Sequence, residues 1–66
     1  MPTYEISVAG PIGPAAGQAF TSLAVDVGAA VTVLSGDLDR RGLQVLLDRM
    51  HAMDLELLAI RREPRG

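Results

Sequence analysis

Leu43, Leu46, Leu47, Met50 and Met53 recur at the i, i+3, i+4, i+7 spacing of an α-helix with one apolar stripe. Arg40, Arg41, Gln44, Asp48 and Arg49 fall largely elsewhere on that helix, so it must lie on an apolar surface with its charged side outward. The flanking residues supply such a surface: residues 31–34, a run rich in β-branched side chains, precede the helix, and a second mostly apolar segment, residues 55–61, follows it. Asp39 is the expected N-cap, and Asp37 adds a second carboxylate near the positive end of the helix dipole. The helix is expected to end near Met53-Asp54, where Asp accepts a left-handed cap less readily than Gly would.

The rest of the chain completes a sheet beneath that helix. Residues 3–9 alternate, with Tyr4, Ile6 and Val8 on one side and Glu5, Ser7 and Ala9 on the other, the pattern of a half-buried strand. Gly10-Pro11-Ile12-Gly13-Pro14 punctuates, and Pro14 suits the first position of a short helix over residues 15–20. Gly17 weakens that helix by about 1 kcal/mol relative to Ala, so it depends on packing Ala16, Ala19 and Phe20 on the sheet. Residues 23–27 alternate again, and with residues 31–34 they predict an antiparallel hairpin across Gly28-Ala29-Ala30. Reading residues 19–30 as one longer helix conflicts with Gly28 and the β-branched Val25, Val27 and Val31.

Strand, helix, strand, strand, helix, strand is the split βαβ order, so the expected fold is α+β and ferredoxin-like (βαββαβ). It has a four-stranded antiparallel sheet with two helices on one face. Right-handed crossovers put the first and third strands in the centre and the second and fourth at the edges. Residues 1–63 form one domain on this reading, and residues 64–66 a frayed tail.

Size makes association the default expectation. A chain of 66 residues buries only about 60% of its unfolded surface. One Tyr, one Phe and no Trp leave the core to aliphatic side chains, while the absence of Cys removes any disulfide staple. The last strand is the anomaly, because Leu55, Leu57 and Ala59 alternate against Leu58 and Ile60, so both of its sides are apolar. Val31 and Val33 against Leu34 repeat the problem more mildly. Leu34, Leu58 and Ile60 are therefore the candidate interface, on the helix-free face or at the edge of the last strand, for a homo-oligomer, a dimer being the expected form, or for an unidentified protein partner.

Thr32-Val33-Leu34-Ser35-Gly36-Asp37-Leu38, then Leu43, Leu46-Leu47 and Leu55-Glu56-Leu57-Leu58-Ala59-Ile60-Arg61-Arg62, resemble small stand-alone uncharacterised actinobacterial proteins with an ACT-like βαββαβ layout. The resemblance covers most of the chain and rests on packing and turn chemistry, so it implies no activity. Those proteins often carry Gly where this chain has Asp54. ACT domains bind amino acids at a subunit interface beside a Gly-containing loop, which makes Gly10 and Gly13 a candidate ligand loop. Pro11 and Pro14 remove two amide donors from it.

Several activities fall on absent residues. Acylphosphatase-like catalysis needs Asn and heavy-metal-associated domains need paired Cys; this chain has neither. A net charge of −2 and a single strand aromatic, Tyr4, argue against nucleic acid. Met1-Pro2-Thr3-Tyr4 resembles the start of tautomerases that use an N-terminal proline as base, although an attached Met1 blocks that amine. His51 is explained by the helix C-terminus, and Asp37 and Asp39 by capping. A cytoplasmic location is expected, with no targeting segment and no membrane span. The expected function is therefore a non-catalytic, self-associating interaction module without metal or cofactor. The alternatives are an ACT-like sensor of an amino acid or similar metabolite and a tautomerase-like enzyme using Pro2.

Overall fold

A computed structural model of the chain describes residues 2–63. The elements run β1 (Thr3–Ala9), α1 (Pro14–Ala19), β2 (Ala24–Asp26), β3 (Val31–Asp37), α2 (Arg40–Ala52) and β4 (Leu57–Glu63). They build an α+β domain on a four-stranded antiparallel sheet in the order β2-β3-β1-β4, so β3 and β1 are central while β2 and β4 form the edges. The anticipated tail, residues 64–66, lies outside the described residues.

Alternation in β1 decides which side of the sheet is the core. Ile6 and Val8 are buried, and their partners across the ladder are Leu34 and Thr32 of β3. Onto that side α1 brings Ala16 and Phe20, and α2 brings Leu46 and Met50, all in one apolar cluster. Ile12 joins the cluster from the loop between β1 and α1. The Gly/Pro run is thus more than punctuation: it folds one aliphatic side chain under the helices. Gly10 adopts a φ of 68°, a left-handed turn that costs a side chain-bearing residue more than glycine.

Thr32 is the buried polar residue, fully enclosed, and its hydroxyl donates to the Gly10 carbonyl at 2.9 Å. That bond satisfies a group whose burial without a partner would cost about 1–3 kcal/mol. It also ties the start of β3 to the loop carrying Ile12. Gly28 holds the β2–β3 turn because a Cβ there would sit 2.3 Å from the Val31 carbonyl oxygen, a backbone atom.

The main helix starts as its sequence indicates. Asp39 takes the N-cap and its carboxylate accepts from the Gly42 amide at 2.6 Å. Pro14 likewise opens α1. At the far end Met53 caps α2, and Asp54 has a φ of 57°, the left-handed geometry anticipated there. β3 runs three residues beyond the expected Leu34, through Ser35 and Gly36 to Asp37. Asp37 therefore belongs to a strand, where it accepts from the Thr3 hydroxyl, instead of lying on the helix entry.

Candidate interaction surface

The edge strand β4 is paired on one side only, against β1. Its sequence, Leu-Leu-Ala-Ile-Arg-Arg-Glu, is exposed at each of the six positions from Leu57 to Arg62. Leu57 is 43%, Leu58 48% and Ile60 41% accessible. A long, apolar edge with free backbone donors and acceptors is the template onto which another strand adds most readily.

The two-sided apolar pattern of this strand has a local cause. The pairing shifts register between Ser7 and Val8: Ile60 faces Ile6 and Ala59 faces Ser7, but Val8 faces Leu57. Leu58 is the extra residue of the resulting bulge, and the parity of the strand changes there. Leu57 and Ile60 consequently both lie on the helix-bearing side, opposite the buried Val8 and Ile6. Both stay exposed on this edge strand. Beside them, Leu47, Met50, His51, Leu55 and Leu57 line a shallow cleft of about 240 Å³. The apolar edge and the last turns of α2 thus form one continuous surface.

Leu34 does not belong to it. Its accessibility is 0%, with Ile6 and Val25 as ladder partners, so the side chain lies wholly in the chain's own core. The apolar residues of β3 that do reach the helix-free side are Val31, 40% accessible, and the half-buried Val33. On that side they neighbour Glu5, Asp26, Ala59 and Arg61, a mixed surface with Arg61 directly across from Glu5.

The other candidate residues are committed to structure. The Gly10 amide donates to the Ala30 carbonyl at 2.6 Å and is taken from any ligand. Gly13 is the N-cap of a six-residue helix and offers no side chain. The Pro2 carbonyl accepts from the Leu38 amide at 3.0 Å, and Pro2 lines neither the cleft beside β4 nor the groove between α1 and α2. His51 is exposed on the last turn of α2. Among the described residues no group of three or more His, Asp or Glu side chains is placed to hold a metal ion. No helix among them is long and apolar enough to cross a membrane.

No curated protein and no solved structure matches the chain. A family model does: residues 3–61 match DUF8691, a domain of unknown function. That match takes in every strand and both helices except the last two residues of β4, and the chain is thereby a member of the DUF8691 family.

Proposed function

We propose that this protein is a non-catalytic, self-associating interaction module of ferredoxin-like, ACT-like layout, and that a second copy adds to the β4 edge. The strand order with β1 and β3 central and both helices feeding one core supports the ferredoxin-like reading. The association reading is carried by one observation: Leu57, Leu58 and Ile60 are each more than two-fifths accessible on an unpaired edge. Two antiparallel copies of β4 extend the sheet across a twofold axis and bring the Leu47–Leu55 clefts alongside it.

Magnitudes set how tight that dimer is. Fully burying a Leu or Ile is worth about 1.5–3 kcal/mol. Somewhat under half of that remains to be gained at each of the three positions, in each copy, giving roughly 6 kcal/mol for the pair. Association costs about 4–15 kcal/mol in lost freedom, so the apolar term alone does not hold two copies together. New ladder hydrogen bonds, each worth about 0.5–1.5 kcal/mol net, supply the difference. The net is small beside these terms, so the expected dimer is weak, populated or dissociated according to concentration.

Hydrogen exchange tests this directly. The outward amides of β4 should exchange rapidly in dilute solution and become protected as concentration rises, while those of β2 stay unchanged. Protection of β4 that is independent of concentration contradicts the proposal.

A further inference from the structure

A second concavity lies on the opposite side of α2 from the β4 cleft and plays no part in the association just described. It is a groove of about 320 Å³ between the end of α1, the start of β2 and the outer flank of α2. Phe20 and Leu46, both buried, form its floor; Leu23 and Leu38 form its walls; Val45, 49% accessible, stands at the rim. Arg49 is the one charged residue in the lining, which contains no acidic side chain. Its guanidinium reaches the Ala19 carbonyl at a long 3.4 Å, and the side chain is exposed. Among the described residues that weak contact is the head's one hydrogen bond, which holds it at the mouth of the groove and leaves most of its five donors free.

We infer that this groove binds a small apolar monocarboxylate, its hydrocarbon body on Phe20, Leu23 and Leu46 and its carboxylate on Arg49. The sign of the charge follows from the lining: in a chain of net charge −2, this apolar groove carries a lone cation and no anion. The planar fork of an arginine matches a carboxylate with two parallel hydrogen bonds. The size follows from the volume, roughly twice that of an engineered cavity that takes up benzene, which suits a body of about ten non-hydrogen atoms. Mostly apolar walls with few polar groups to fix orientation are the ordinary make-up of a small-molecule site.

A matched set of probes separates this from general stickiness: 3-phenylpropanoate, 3-phenylpropanol and 3-phenylpropylamine share one body and differ in charge. Amide shift titrations should place 3-phenylpropanoate at the groove, with a dissociation constant of about millimolar order. The alcohol should bind several-fold more weakly and the amine most weakly. Arg49→Gln should lower affinity for the acid several-fold, to about the level of the alcohol, and so remove the preference for the acid. Val45→Glu, at an exposed rim position that does not endanger folding, should weaken the acid and strengthen the amine. Equal binding of all three probes, no binding by any at ten millimolar, or shifts centred on the β4 edge would each overturn the assignment.

Discussion

Replacing Leu34 by alanine separates what the core contributes from what the edge contributes. Leu34 lies between Ile6 and Val25 on the central strands with none of its surface accessible, so the truncation opens a cavity walled by other core side chains. Leu→Ala changes at such sites cost about 2–5 kcal/mol, and a figure near 3 kcal/mol is expected where a light aliphatic core closes partly over the gap. At about 0.05–0.15 kcal/mol per residue, a chain of 66 residues has roughly 3–10 kcal/mol of total stability. The variant therefore sits close to its unfolding threshold. With an m-value of about 1 kcal/mol/M, the urea midpoint should fall by about 3 M, or Tm by roughly 12–24 °C. Far-UV circular dichroism at two protein concentrations a hundredfold apart is the assay. A core residue loses the same free energy at both. A loss below about 1 kcal/mol, or one that vanishes on dilution, would refute the burial argument and return Leu34 to the surface.

Two further outcomes bear on the ends of α2. Asp39→Ala removes the side-chain acceptor of the Gly42 amide and should cost about 1 kcal/mol in urea unfolding, with Asp39→Asn retaining most of the stability. Asp54→Gly relieves a left-handed residue and should raise stability by about 0.5–1 kcal/mol, read as a Tm increase of several degrees; a decrease would show that the Asp54 side chain has an unrecognised partner.

The elements that were legible in the sequence are those whose cause is local. The stripe of Leu46 and Met50 on α2, the cap at Asp39, proline at the head of α1 and the alternation of Ile6 and Val8 each depend on neighbours within a few residues. The errors share a different origin. Along β3 the pattern offers Leu34 on one side and Val31 and Val33 on the other, and composition favours burying the valines. The chain instead buries Thr32 with Leu34, because the Gly10 carbonyl, twenty-two residues away, receives the hydroxyl. Nothing near Thr32 announces that partner.

The bulge in β4 is illegible for the same reason. Its register change is a property of the pair with β1, so simple alternation assigns Leu57 to the same side as Ala59, whereas the ladder puts it opposite Val8. Ile12 was hidden in another way: a loop rich in Gly and Pro is read as a connection, and its one aliphatic residue fills the core. Of the proposed interface residues, Leu58 and Ile60 remain at the surface and Leu57 joins them. The β3 member was lost once long-range contacts chose its face.

Solution mass by multi-angle light scattering across a thousandfold range of concentration, on the parent chain and on Leu58→Arg, bears most directly on the proposed association. The mass of the parent should rise from that of one chain to that of two across this range, and Leu58→Arg should remain a folded single chain throughout. A parent chain that keeps a single-chain mass at every concentration, or a Leu58→Arg variant that dimerises as tightly as the parent, would contradict it.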